Sequence, residues 1–291
     1  MTTSGLWTRN YAKDYPSDRY AQLLNGNVCL LTWAKIEPQP GVFDIPYLMQ
    51  VAEAAQHGQV GLRILGGANA PTWMKHKVPS FTYVEGVSRD EYTIPQWWNG
   101  EYMHRWEYML YVVHSFIGKF VDVIYQTGGA TVYGEPMIRA PWQNTQVYNE
   151  MGFNKEVDTL ALSAFYNSMS AAWYDTDVAV SCFPYQGMVD ERPHVSLQQS
   201  IDFVEVWQPN LAGFNDLRED PGKERLAAWE AVWKLDIAMF FQTANPKKIG
   251  DWEIALAHAS EYGAKYVELN RDFTDYDYEK LGDHAYSLSQ T

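Results

Sequence analysis

Short runs rich in β-branched and aromatic residues alternate with longer amphipathic stretches, about eight times, with no linker or low-complexity break between them. The short runs fall at residues 4–9, 27–34, 59–65, 121–127, 178–183, 212–215, 237–243 and 265–269. Helical periods lie between them at 17–24, 45–57, 101–119, 155–174, 197–207, 223–235 and 249–262, and Gly58 and Gly263 stand where a helix-ending glycine belongs. Strands buried on both faces and joined by helices close a parallel sheet on itself. The pattern therefore predicts an α/β fold, a single-domain (β/α)8 TIM barrel spanning residues 1–291, a usual length for one such unit. Residues 66–99 read as a long, irregular loop insert. An open doubly wound sheet is the structural runner-up, but no glycine-rich phosphate fingerprint follows the first strand.

A formal charge of −14 repels phosphate backbones and anionic headgroups, so neither nucleic acid nor an acidic membrane is expected as a partner. Aromatic residues make up 15% of the chain, with 12 Trp and 20 Tyr, many beside Gly, Pro and Asn. Aromatic faces in a cleft suit the apolar faces of sugar rings, although any one Trp is as readily explained by core packing. Cys29 and Cys182 each sit in an apolar run and read as small core residues rather than a disulfide. The seven histidines form no His-x-His after the first strand and no His-Glu-x-x-His, so no metal and no other cofactor is expected. The acidic run Asp275 to Glu279 lacks the glycine and spacing of a calcium loop and reads as a solvated helix start. Without a visible signal pattern or an apolar run of membrane length, a cytoplasmic or phage-borne protein is expected, with localisation and oligomeric state left open.

In a β/α barrel the reactive groups lie at the C-terminal ends of the strands. Polar and aromatic residues just after each run are Trp33, Lys35 and Glu37; Arg63 and Asn69; Glu135; Phe183, Tyr185 and Gln186; Asn215 and Asp216; Gln242 and Asn245; and Glu268 and Asn270. Of these, Trp33, Arg63, Asn69, Tyr185 and Asn215 are candidates for holding a substrate. Trp73 and Trp142, with Trp97 and Trp98, lie in loops on the same face and form a candidate platform. Trp106, Trp173, Trp229, Trp233 and Trp252 fall on helices and read as packing residues. Glu135, between Gly134 and Pro136, is held at a loop position where helix is discouraged. Arg63, between Leu62 and Ile64, points inward and could orient a catalytic carboxylate or neutralise one. Glu268 is either reactive or a structural carboxylate paired with Arg63 or Lys35. Glu37 reads as a turn residue of its Pro-flanked loop.

Thr32-Trp33-Ala34-Lys35-Ile36-Glu37-Pro38 followed by Gly41-Val42-Phe43-Asp44 resembles a stretch of the retaining glycoside hydrolases of the large (β/α)8 superfamily, and Ala70-Pro71-Thr72-Trp73-Met74 is similar to their sugar-lining Pro-x-Trp loop. The resemblance implies a carbohydrate substrate, an acid/base Glu after the fourth strand, here Glu135, and a nucleophile after the seventh. Two departures stand out. Gly134 replaces the Asn that precedes the acid/base in that superfamily, and the nucleophile position holds Gln242, an amide that cannot form a glycosyl ester. Three explanations follow: an engineered Glu-to-Gln change, a second carboxylate from elsewhere (Glu268 or Asp216), or a natural binding protein that has lost the reaction. A glycosidase cleaving an O-glycosidic bond in an oligo- or polysaccharide is thus the first expectation. A non-catalytic carbohydrate-binding barrel is the second. A barrel lyase or isomerase is the third, weakened by the absence of a strand-ending lysine for a Schiff base.

Overall fold

The computed structural model describes residues 4–9, 19–86, 88–127, 141–182, 185–189, 192–270 and 272–290. Eight parallel strands close a barrel: β1 (Gly5–Thr8), β2 (Leu24–Thr32), β3 (Gln59–Leu65), β6 (Val123–Tyr125), β7 (Asp177–Cys182), β10 (Leu211–Leu217), β11 (Ala238–Thr243) and β12 (Tyr266–Leu269). Neighbours in sequence are neighbours around the barrel, and β12 closes it against β1 with Trp7 opposite Glu268. Two antiparallel hairpins lie outside it, β4 (Ser80–Val84) with β5 (Glu91–Pro95), and β8 (Tyr185–Val189) with β9 (Arg192–Ser196).

Helices surround the barrel, several of them started by a side chain that accepts from an otherwise unpaired backbone N–H. Asn154 accepts from Val157 N at the start of Lys155–Ala172, Ser196 from Gln199 N at Leu197–Trp207, and Asp277 from Lys280 N at Tyr278–Ser289. Gly263 follows Trp252–Glu261 with φ 62, the left-handed conformation that glycine adopts without strain.

Residues 66–99 are not irregular. They hold a 3-10 turn (Gly67–Asn69), a short helix (Thr72–Lys77) and the β4–β5 hairpin. The hairpin strands bury alternate side chains, Phe81 and Tyr83 against Thr82, a two-residue period that the surrounding Gly, Pro and Trp obscure. Trp97 is also a correction: it is fully buried among Phe81, Tyr148 and Phe153, so it belongs to the core rather than to a platform. Trp233, expected to pack, is 56% exposed.

Successive residues on the strands face either the helices or the barrel axis. Leu6, Leu62, Ile64, Ile124, Phe241, Val267 and Leu269 join the main core outside the barrel. Trp7, Val28, Val123, Tyr125, Ala179, Leu211, Phe240 and Tyr266 form a separate cluster inside it. Within that plug Trp7 stacks on Tyr266 at 4.3 Å, Phe240 stacks on Tyr266 at 5.2 Å, and the Tyr125 ring meets Phe240 edge-on. Gly213 makes room for it, since a Cβ there would overlap the Phe240 ring.

Candidate active site at the mouth of the barrel

One step further along the same inward rows, the filling changes from apolar and aromatic to polar and charged. Arg63 follows Gly61 on β3, Gln242 follows Phe240 on β11, Glu268 follows Tyr266 on β12, and Arg9 follows Trp7 past the end of β1. Arg63 donates from both terminal nitrogens to Glu268, Nη1 to Oε2 at 3.0 Å and Nη2 to Oε1 at 2.6 Å. This is the two-pronged geometry that a guanidinium offers a carboxylate. Arg9 Nε stands 3.6 Å from Glu268 Oε2, and its Nη2 donates to Thr243 O at 2.7 Å. Gln242 Nε2 donates to Glu268 Oε1 at 3.5 Å. Glu268 is fully enclosed, and Arg63 and Gln242 are 6% and 8% exposed.

Beneath this layer Tyr125 and Tyr266 share a hydroxyl–hydroxyl bond of 2.7 Å, and the Arg63 guanidinium lies 4.0 Å from the centre of the Tyr125 ring. Burial, and then the Glu268 charge, push both phenols well above the usual tyrosine range, so both stay neutral. Burial works against the charge on Arg63, but the adjacent Glu268 carboxylate outweighs it and holds the guanidinium protonated. A buried cation and a buried anion are tolerable here because each satisfies the other.

Asn215 and Asp216 stand at the end of β10, where the register with β11 shifts between Phe214 and Leu217. Asp216 has φ 71, a strained value for a residue with a side chain. Its carboxylate pairs with Arg218 and, at 3.3 Å, with Arg225. Such bulges recur at barrel rims and beside active sites, where they re-aim a side chain.

Trp33, expected to hold a substrate, is wholly buried instead. Its ring meets Trp73, Tyr102 and Trp106 edge-on, and its Nε1 donates to Glu37 Oε2 at 2.9 Å. A ring enclosed by three others has no face left for a ligand. Glu37 is equally buried and also accepts from Gly41 N at 2.8 Å, so it ties the turn together. Trp73 is half-buried, with Nε1 donating to Glu37 O at 3.0 Å, and Asn69 sits in the turn just after β3. Trp142 is 52% exposed, in a 3-10 turn that packs beside the β8–β9 hairpin carrying Tyr185. Glu135 lies outside the described residues.

The structure thus brings Arg63, Gln242 and Glu268 together, keeps Asn215 on the neighbouring rim, and sets Asn69 and Trp142 in 3-10 turns and Trp73 in a short helix. Sequence reasoning missed Arg9, although it is the first polar residue after the first strand and the same filter would have selected it. Among the described residues, no group of three or more His, Cys, Asp or Glu could hold a metal ion, and no helix is long and apolar enough to cross a membrane. Cys29 and Cys182 are free and buried.

No family model and no curated protein matches the chain. Solved structures do. The catalytic domain of the β-amylase from Paenibacillus polymyxa superposes with a TM-score of 0.60 at 8% identity, covering 98% of this chain and 96% of its own. The β-glycosidase BGL167 gives 0.52 at 12% identity, over 90% of this chain and 75% of its own. Endo-glycoceramidase II from Rhodococcus sp. gives 0.51 at 17% identity, over 92% and 73%. At these identities the likeness is one of fold: the chain is a (β/α)8 barrel similar to those of glycoside hydrolases.

Proposed function

We propose that this protein is a glycoside hydrolase that cleaves an O-glycosidic bond, with Glu135 as its general acid and base. The observation that carries the reading is the polar layer of Arg63, Glu268 and Gln242 at the C-terminal ends of the strands, where barrel enzymes keep their chemistry, above an aromatic and aliphatic interior. The fold-level likeness to a β-amylase, a β-glycosidase and an endo-glycoceramidase supports it by analogy. Glu135 follows the fourth barrel strand in sequence, and a carboxyl group there would donate its proton to the departing oxygen. Asn69, Trp73, Trp142, Tyr185 and Asn215 are proposed to hold the sugar, with Trp73 and Trp142 supplying ring faces.

The test is hydrolysis of a panel of aryl glycosides and polysaccharides by the protein and by Glu135→Gln. Loss of about a hundredfold or more in kcat, together with loss of one ionisation from the pH–rate profile, is the expected outcome. A variant as active as the parent, with an unchanged profile, removes Glu135 from the mechanism.

A non-catalytic carbohydrate-binding barrel is the second reading, favoured by the amide at position 242. Sugar binding by calorimetry, without hydrolysis of any of the panel by the parent chain, would select it.

A further inference from the structure

We infer that a pocket at the N-terminal end of the barrel, opposite the mouth, binds a small neutral sugar, with Trp173, Asn210 and Asp175 bonding its hydroxyls and Tyr174 covering a ring face. The pocket lies apart from the candidate active site, and its ligand does not depend on the glycosidase reading.

All eight strands run parallel, so the residues that begin them gather at the end of the barrel away from Arg63 and Glu268. There the C-terminal half of the Lys155–Ala172 helix, the turn after it, the first residues of β7 and Asn210, just before β10, enclose a cavity of about 450 Å³. Clefts of this size hold small ligands. Trp173 lines it and is fully buried, and its Nε1–H, which can only donate, has no hydrogen-bond partner among the described residues. The same is true of the buried Ser170 hydroxyl oxygen in the same lining. Trp7, Trp97, Trp106 and Trp229 also bury an unpartnered N–H, and of the five indoles only Trp173 lines this cavity. A buried donor left over by the fold at the wall of a cavity is satisfied when a molecule in that cavity accepts from it.

The rest of the lining narrows what that molecule is. Asn210 Oδ1 accepts from Val178 N at 2.9 Å, which turns the amide NH2 the other way as a fixed donor. Asp175 Oδ1 lies 2.8 Å from His114 Nε2 and accepts from the Thr176 hydroxyl at 3.3 Å. The bond to His114 holds the Asp175 carboxyl below the usual carboxylate range, so it is a positioned, ionised acceptor. Tyr174 is 78% exposed, and Tyr166 stacks on Trp207 at 4.9 Å, so ring surface lies beside the polar groups.

The charged residues of the lining are Asp175 and Asp177, with no Lys, Arg or His, which disfavours an anion. A cation would suit Asp175 but would set its own donors against Trp173 N–H and the Asn210 NH2. A hydroxyl both donates and accepts, so it meets all three. A sugar carries several hydroxyls around a ring with an apolar face, which suits Tyr174.

The experiment labels the full chain with isotopic tryptophan and follows the indole N–H resonance of Trp173, identified by its loss in Trp173→Phe. Glucose, galactose, maltose and cellobiose are titrated, with spermidine as a cationic probe. Crystals of the parent protein soaked in the same sugars supply a second readout that needs no variant, density bonded to Trp173 Nε1. The expected result is a saturable shift with at least one sugar, with affinity about tenfold weaker in Tyr174→Ala, whose folding is verified by thermal melting. The same titration should be unchanged in Trp142→Ala, which removes an exposed ring near the β8–β9 hairpin. No shift and no density with any sugar overturns the inference. So does a response to spermidine alone, or a sugar-induced shift that Trp142→Ala abolishes and Tyr174→Ala leaves intact. The glycosidase reading stands or falls separately, on hydrolysis by the Glu135→Gln variant.

Discussion

Arg63 and Glu268 meet inside the barrel through two charge-assisted hydrogen bonds of 2.6 and 3.0 Å, although they lie 205 positions apart in sequence. The pair links the third barrel strand to the eighth across the interior. Removing one partner exposes what the arrangement offsets. Glu268→Ala leaves the Arg63 charge buried without a counter-ion and is expected to cost about 3–5 kcal/mol in folding free energy. Urea denaturation checks this, and a loss below about 1 kcal/mol would mean that the pair is solvated in solution.

Asp158, in the first turn of the Lys155–Ala172 helix, is fully buried, and among the described residues neither of its oxygens has a hydrogen-bond partner. Burial raises its pKa well above the usual carboxylate range. Because the folded-state value exceeds the unfolded one of about 3.9, the stability present below that pH is lost as pH rises through the folded-state value. Asp158→Asn should therefore match the parent at pH 3 and exceed it at pH 7. Paired melts across that window test it, and a difference that does not change with pH would remove the assignment.

Gly213 faces the Phe240 ring on the neighbouring strand, with no room for a methyl group between them. Gly213→Ala should destabilise the barrel by about 1–3 kcal/mol through overpacking. Combining it with Phe240→Leu should cost less than the sum of the two single changes, which a double-mutant cycle measures. Strict additivity would show that the two residues do not press on each other.

Cys29 and Cys182 are buried, and burial pushes both thiols up to about 12. Since the thiolate is the reactive form, neither should react with a disulfide reagent at pH 8 in the folded protein, and both should react once it is unfolded in guanidinium. Rapid labelling of the native chain would place at least one thiol at an accessible surface.

The barrel was legible in the sequence because its determinant is local. A two-residue or 3.6-residue period marks each strand or helix without reference to the rest of the chain, and eight alternations leave few ways to bury every strand. The third strand, 59–65, and the helix at 197–207 keep the bounds that the period alone assigns them. Local signals were weakest at 66–99, where two five-residue strands lie among Gly, Pro and Trp. Part of the site was legible in the same way, since a polar residue following an apolar run at a strand end is a pattern on one segment, and it marked Arg63, Gln242 and Glu268. What each of them does depends on the others. Trp33 and Trp73 both contribute indoles after strand ends, yet packing encloses one ring completely and leaves the other half-exposed. Whether Glu268 is free or clasped, and which end of the Gln242 amide meets it, follow from strands brought together only when the barrel closes. Sequence thus determined which segments are strands and which residues end them. Closure of the barrel decided which charges meet, because electrostatic and hydrogen-bond partnership depends on distances of a few ångströms that sequence separation does not encode.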